Sequence, residues 1–437
     1  MKVLVVGSGG REHAIVWALK HTARPPLELY CAPGNAGIAE VAKCIPISAA
    51  DHSALVDLIR AEAINLTVVG PEGPLADGIV DKFQSLGIAI AGPSEAASRL
   101  EASKSFAKDF MARHGIPTAK YKVAHSAEEV GEVLRSGEFG SPDTPVVIKA
   151  DGLAAGKGVV VASSHEEALQ AAGELAAGEL INREAARRIV IEETLLGTEV
   201  SLLLFADGRD YALMPAARDH KRIGENDTGP NTGGMGAITD SAVLNAEMLE
   251  RVVQTIVEPT LAGARADGFP FCGVLFLGLM LTDEGPRLLE YNVRFGDPET
   301  QAILVRLKTS LLDVFEAIRT GRLADLKVEW SNESSACVVL ASSGYPGKYD
   351  KGKAINGLEA LRTEEKVNVF HAGTERSEAG EFVTAGGRVL GVTATGANLQ
   401  EALRLCYNAA QSISWPGVQY RRDIGKFRGA RGTAGIR

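Results

Sequence analysis

The sequence predicts an α/β fold: a doubly wound parallel sheet first, a larger α/β region in the middle, and a strand-rich α+β unit at the C-terminus. Three observations carry this reading. The first hundred residues alternate short apolar runs with helical patterns, the rhythm of strands covered by helices on both faces. The strand-end turns Gly7-Ser8-Gly9-Gly10, Ala32-Pro33-Gly34-Asn35-Ala36-Gly37 and Gly70-Pro71-Glu72-Gly73-Pro74 bring backbone close to a ligand, where open parallel sheets bind. From about residue 327 apolar strand patterns return, and a helix over 398–412 precedes a basic, glycine-rich tail.

Taken in order, residues 3–6, 27–31, 66–69 and 88–91 read as buried strands, with helices over 12–20, 51–63 and 75–86 between them. Ser103 can cap a helix over 104–114 that stops at Gly115-Ile116-Pro117. A compact segment follows, with strands over 145–149 and 158–162 on either side of a glycine loop. Residues 189–192 open the large region, which runs to about residue 323. Strands over 336–341, 367–371 and 388–395 build the last unit. The expected domains are 1–102, 103–122 with 189–325, 123–188, and 326–437.

A chain of 437 residues suits about three domains. The formal charge of -9 argues against a general nucleic-acid binder but leaves room for a small phosphorylated substrate. Five scattered cysteines with no CxxC pair argue against a zinc site or a disulfide framework and point to a reducing compartment. The chain starts in a short strand rather than a signal peptide, and no apolar run approaches the roughly 20 residues of a membrane helix. A cytoplasmic protein acting on small molecules, as a monomer or weak dimer, with neither nucleic-acid nor membrane partners, is expected.

The most informative stretch is Leu288-Leu289-Glu290-Tyr291-Asn292-Val293-Arg294-Phe295-Gly296-Asp297-Pro298-Glu299-Thr300-Gln301. Glu290, Asn292 and Arg294 fall at a spacing of two, so they share one face of a strand. Burying them demands partners. A carboxylate and an amide oxygen suit a magnesium ion that keeps waters and phosphate oxygens, and the guanidinium suits a substrate anion. The plainer alternative is a salt-bridged sheet edge.

Gly7-Ser8-Gly9-Gly10-Arg11-Glu12 invites a nicotinamide-dinucleotide reading but fails both its tests. Glu12 stands where a small residue is needed, and the second strand closes on Ala32-Pro33-Gly34-Asn35 without a ribose-binding acid. Backbone amides at the helix start still form a phosphate cradle, while Arg11 and His13 read as solvated helix residues. The run from Lys149 through Gly152, Gly156, Lys157 and Gly158 is not a Walker loop, because three residues separate its glycines and a strand follows. It reads either as a lid over phosphates or as a plain hairpin turn. Residues 189–201 can offer an adenine edge and, through Glu199, a ribose contact. The polar run 218–236 is too long and too polar for core and reads as a substrate-closing loop.

These motifs, with Asn231-Thr232-Gly233-Gly234-Met235-Gly236 and Gly344-Tyr345-Pro346-Gly347, resemble the ATP-grasp ligases over essentially the whole chain. Among those, they resemble the phosphoribosylamine–glycine ligase (glycinamide ribonucleotide synthetase) family. The resemblance implies an ATP-grasp fold, ATP as co-substrate and Mg2+ or Mn2+ as cofactor. It implies ATP contacts at Lys104, Lys149, Gly156, Lys157, Gly158, Glu192, Glu193, Leu195, Glu199 and Leu279, and metal ligands Glu290 and Asn292. Gly9, Gly10, Glu12, Asn35, Glu72, Asp219 and Arg294 would hold substrate. Arg294, Asp219, Lys221 and Asp297 would be catalytic, with Arg294 as anion clamp and Asp297 beside the ammonium of glycine. One departure stands out: residues 274–280, on the preceding strand, contain no acid. The implied reaction activates glycine as glycyl phosphate for attack by 5-phosphoribosylamine. The rivals are another ATP-grasp carboxylate–amine ligase and a non-catalytic nucleotide-binding module.

Overall fold

The structure, a computed structural model, describes residues 1–153, 158–177 and 188–426. Gly156 and Lys157, expected at the ATP phosphates, lie outside the described residues. Val3, Leu4, Val5 and Val6 are all fully buried, as a strand covered on both faces requires. They form the centre of a parallel sheet of β1 (Lys2–Gly7), β2 (Glu28–Pro33), β3 (Lys43–Cys44), β4 (Leu66–Val69) and β5 (Ile90–Ala91). Its order is β3-β2-β1-β4-β5, so the winding reverses at β1 and a crevice opens at its carboxyl end, beside Gly7 and the helix Gly10–Thr22. The helix expected over 75–86 is two helices, Glu72–Ala76 and Ile79–Ser85, because Gly78 turns the chain at a φ of +73°.

A second sheet, entirely antiparallel, contains β6 (Tyr121–Ala124), β7 (Val146–Ala150), β8 (Val159–Ala162) and β9 (Ile189–Glu193) in the order β6-β9-β7-β8. Helices Ala127–Arg135 and His165–Ala177 pack Val130, Leu134, Ala168 and Leu175 onto it. This corrects the expected boundary at residue 188. The strand 189–193 does not open the large region; its fully apolar Ile189-Val190-Ile191 run needs a neighbour on each side and finds them in β6 and β7.

The large sheet takes β10 (Thr198–Asp207), β11 (Tyr211–Leu213) and β12 (Ala217–Asp219), then, past a hairpin of β13 (Arg222–Gly224) and β14 (Thr228–Asn231), β15 (Gly236–Thr239). It continues with β16 (Cys272–Thr282), β17 (Gly285–Asn292), β18 (Ser334–Ala341) and β19 (Val367–His371). Past the hairpin of β20 (Thr374–Arg376) and β21 (Phe382–Thr384), it ends with β22 (Arg388–Gly396). The order β17-β16-β10-β12-β15-β18-β22-β19 shows no break at residue 326: β15 pairs with β18, so the C-terminal strands extend the central sheet.

The run 218–236 is correspondingly less loop than expected. Its polar side chains find partners in the segment after the last helix. Arg421, 1% exposed, donates to Arg222 O at 3.0 Å and Asp227 Oδ1 at 2.8 Å while its fork holds Asp423. Asn226 N donates to Asp423 Oδ2 at 2.7 Å, and Gly425 N to His220 Nε2 at 2.9 Å.

Candidate active site

Burial alternates along β17 and the residues after it. Leu288, Tyr291, Val293 and Phe295 are sunk in core, whereas Glu290, Asn292 and Arg294 are half-buried on the cleft side. A β-bulge at Leu289 sets this phase: Gly278 pairs with Glu290, but Leu279 already pairs with Leu288. The extra residue lets Leu288 point inward although it is two positions from Glu290. Leu279 therefore does not reach the cleft. It is fully buried beside Leu288, which corrects its expected ATP contact; Phe276 and Gly278, opposite Asn292 and Glu290, occupy the cleft face instead.

Arg294 is held from several sides. Its Nη2 meets Glu101 Oε1 at 2.9 Å and Asn292 Oδ1 at 3.1 Å, its Nε donates to Glu72 Oε2 at 3.2 Å, and its Nη1 to Phe295 O at 3.1 Å. Burial works against the guanidinium charge, but Glu101 and Glu72 outweigh it and secure the charge. Burial likewise pushes the Glu72 carboxyl up, and Arg294 and Arg11 bring it below the usual carboxylate range. Glu101, in the helix Glu95–Ala102, was not recognised in the sequence, where it looks like any acid near a helix end.

Asp297 faces the C-terminal unit. Arg388 Nη2 donates to its Oδ2 at 3.1 Å and Gln301 Nε2 to its Oδ1 at 2.8 Å. Arg388 Nη1 also donates to Asp297 O at 2.8 Å and to Gly233 O, and Gly233 N donates to Tyr345 Oη at 3.1 Å. Arg388 thus ties β22 to Gly233 in the 231–236 motif and to Asp297 in the 288–301 stretch. No local pattern marks it in the sequence.

The N-terminal loops correct three expectations. Glu12, 2% exposed, accepts from Gly9 N and from Arg11 Nε at 2.7 Å, and its side chain fills the space a Cβ on Gly7 or Gly70 would need. It is a cap and a spacer rather than a substrate contact. The Asn35 amide is also fully used: Nδ2 donates to Ser8 O and His371 O, both at 2.8 Å, and Oδ1 accepts from Gly37 N and Ile38 N at 3.0 and 2.9 Å. Arg11 and His13 are not solvated. Arg11 Nη1 donates to Phe295 O at 3.1 Å, and His13 Nδ1 accepts from His371 N at 2.8 Å. Gly9 is half-buried, with Glu12 and Asp297 nearest where a Cβ would stand, and Gly10 is buried against Gln301 and Ala372.

On the opposite side, Lys104 Nζ donates to Gly152 O at 3.2 Å, and burial lowers its pKa against the pull of Glu290. Ala150 N donates to Gly158 O at 2.8 Å, which closes the base of the glycine hairpin. Glu192, expected to face adenine, is instead 1% exposed between Lys108 and Lys149, at 2.8 Å from each. Glu193 is exposed and accepts from Lys120 N at 2.8 Å, while Leu195 is half-buried. Lys221 Nζ donates to Glu199 Oε2 at 2.7 Å. Burial pushes up the carboxyls of Asp219 and of its electrostatic neighbour Glu299, the latter to about 7.

Three stretches match the phosphoribosylglycinamide synthetase domains: the N domain over 1–101, the ATP-grasp (A) domain over 102–300 and the C domain over 335–427. The chain is 48% identical over 434 residues to a phosphoribosylamine–glycine ligase of Rhizobium meliloti, covering 99% of this chain and 100% of the relative. The chain belongs to the phosphoribosylglycinamide synthetase family. A second member, from Xylella fastidiosa, is 48% identical over 97% of each chain. The crystal structure of the phosphoribosylamine–glycine ligase of Thermotoga maritima superposes with a TM-score of 0.82 at 36% identity, covering 97% of this chain and 100% of that one. A biotin carboxylase domain bound to MgADP shares the fold at 17% identity, with a TM-score of 0.69 and coverage of 96% of this chain and 91% of that one. The fold is ATP-grasp.

For a phosphoribosylglycinamide synthetase, the donors on β17 fit a hard divalent cation. Among the described residues no group of three or more His, Cys, Asp or Glu side chains could hold a metal. A cation here would rest on one carboxylate and one amide, as suits an ion completed by water and phosphate. Directly across from Glu290 and Asn292 the preceding strand places Gly278 and Phe276, neither of them an acid. Arg294 Nη2 on Asn292 Oδ1 takes one lone pair of the amide oxygen and leaves the second for a cation. Among the described residues no helix is long and apolar enough to cross a membrane.

Proposed function

We propose that the chain joins glycine to 5-phosphoribosylamine at the cost of ATP, through glycyl phosphate, giving 5-phosphoribosylglycinamide, ADP and phosphate. Placement in the cytoplasm, as an early step of purine synthesis, belongs to the same reading. The observation that carries it is the shared cleft face of Glu290, Asn292 and Arg294, between Lys104 and Lys149 on one side and Gly9, Gly10 and Glu72 on the other. Full-length identity of 48% to an enzyme named for this reaction supports it.

The chemistry follows from what a carboxylate lacks. It is a poor electrophile until one oxygen carries a good leaving group. A glycine carboxylate oxygen attacks the γ-phosphorus of ATP, and the bond to the ADP oxygen breaks. The amine nitrogen of phosphoribosylamine then attacks the acyl carbon, phosphate leaves, and the nitrogen loses a proton. Phosphoryl transfer is mainly positioning and charge compensation. Lys104 and Lys149 would offset charge on the phosphates, and Arg294, fixed by Glu72 and Glu101, would hold the glycine carboxylate or the transferred phosphoryl group. Asp297 would face the glycine ammonium, and Asp219, in charge contact with Lys221, would take the proton of the attacking amine. Gly9, Gly10 and Glu72 would hold phosphoribosylamine. A divalent ion on Glu290 and Asn292, Mg2+ or Mn2+, would screen the phosphate oxygens. Acyl phosphates hydrolyse, so the hairpin closed by Ala150 and Gly158 would exclude water.

The deciding assay is phosphate release from ATP. It should require glycine and rise with phosphoribosylamine. Release supported by another acid but not by glycine would favour a different ATP-grasp ligase, and ATP binding with no turnover on any acid would favour a nucleotide-binding module.

A further inference from the structure

Behind the cleft, Glu192 and Lys149 share a buried charge group with Lys108, which no sequence motif includes. Glu192 on β9 accepts from Lys108 Nζ at 2.8 Å through Oε2, and its Oε1 lies 2.8 Å from Lys149 Nζ. The two cations are held unequally. Lys108, on the helix Lys104–Arg113, is 2% exposed and also donates to Thr118 Oγ1 at 2.7 Å. Thr118 in turn donates to Leu288 O at 2.6 Å, at the bulge of β17, so Lys108 is fixed by three elements. Among the described residues, Lys149, on β7, has a long 3.5 Å contact to Leu289 O besides the carboxylate. Lys108 is locked in the interior by two short contacts, whereas Lys149, 7% exposed, has one short contact and one long one among the described residues.

We propose that Lys108 is a positioning residue: a fixed counter-ion to Glu192 that frees Lys149 to meet the phosphates of ATP. The inference rests on the ATP-dependent reading above. A carboxylate this deep cannot be left without a cation, because an unpaired buried charge is strongly destabilising. With Lys108 present, Lys149 can leave Glu192 and the carboxylate stays neutralised. Without it, Glu192 would retain Lys149 and the phosphates would lose a cation. Lys108 is too buried to serve the phosphates itself. Both charges persist near neutral pH: burial lowers the Lys108 pKa to about 8, and although burial pushes Glu192 up, Lys149 and Lys108 hold it below the usual carboxylate range.

The test is the ratio of ATP to adenosine affinity, since adenosine has no phosphates for Lys149 to meet. In calorimetric titrations Lys108→Met should weaken ATP about tenfold or more, the scale of one lost hydrogen bond to a charged phosphate, and leave adenosine within about twofold. The double variant K108M/E192Q, which removes cation and carboxylate together, should recover the ratio of E192Q alone. Equal weakening of ATP and adenosine would mean that Lys108 is merely structural and would overturn the proposal. So would an unmoved ratio in K108M. If K108M does not fold, the comparison of E192Q with K108M/E192Q still decides: matching ratios support the counter-ion role, and a lower ratio in the double variant refutes it. Wild-type protein with no affinity for ATP would bring down the ATP reading itself, a result distinct from normal ATP binding with an unmoved K108M ratio.

Discussion

Each hydrogen-bonding group of the Asn35 amide already has a partner in the chain, and this sets it apart from its neighbours on the cleft wall. At about 1 kcal/mol net per bond, Asn35→Ala should cost about 2–4 kcal/mol in denaturant unfolding, while the KM values of the folded enzyme stay within about twofold. A large KM change for phosphoribosylamine with unchanged stability would return Asn35 to the substrate. Glu290 should behave in the opposite way. It is half-buried and polar on the cleft face, across from Gly278. Glu290→Gln should therefore keep the thermal midpoint and lower glycine-dependent phosphate release by about a hundredfold or more. Near-native turnover would remove it from the metal site. The contrast explains what was legible one residue at a time. The 290/292/294 spacing is local and needs only the period of a strand. Whether Asn35 faces ligand or chain depends on His371, far away in sequence, and no local pattern reports that.

Elements were legible where burial imposes a period and illegible where polar groups satisfy one another over long distances. β1 falls where a continuous apolar run places it, and β4 and β19 fall on runs that are mostly apolar. The bulge at Leu289, which decides that Leu279 is core, lies in the pairing of two strands rather than in either one. The 218–236 run misled because its partners, Arg421 and Asp423, lie some two hundred residues on. That strap predicts how the hairpin behaves. Breaking a buried ion pair from one side costs about 3–5 kcal/mol, so Arg421→Met should leave Asp423, 12% exposed, short of a cation, cost less at the 58% exposed Asp227, and loosen β13 and β14. Amide exchange over 222–231 should quicken by about a hundredfold or more while exchange in β1 and β4 stays slow. Uniform acceleration would instead mean global destabilisation, and no change would mean that the hairpin holds without the tail.

Across the whole molecule, the N- and C-terminal units close on each other behind the cleft, along a seam built partly from neutral histidines. His13 accepts from His371 N, Asn35 donates to His371 O, and Arg362 and Arg376 both reach Glu40. Burial lowers His13 from 6.5 to about 4; burial together with the charges of His13, Arg376 and Arg362 lowers His371 to about 3. A histidine whose folded pKa is depressed contributes stability that is fully present above its unfolded pKa and is lost as pH falls through the folded value. The unfolded chain binds the proton first, so stability should decline from about pH 6.5 downward and be lost through about pH 4 for His13. A shift of this size corresponds to about 3 kcal/mol for His13 in the acid limit, and the mutual effect of the two rings makes the pair less than additive. His13→Asn keeps an acceptor for the His371 amide and removes the titration. Its thermal midpoint should therefore fall less steeply than that of the wild type between pH 6.5 and 4.5, and the two should converge in slope above pH 7. Parallel acid limbs would show that the seam stays closed for reasons other than the neutrality of His13. Because Gly10, proposed to hold phosphoribosylamine, packs against Ala372 on the same seam, its acid opening should also raise the KM for phosphoribosylamine before that for ATP, whose lysines lie on the far side of β17.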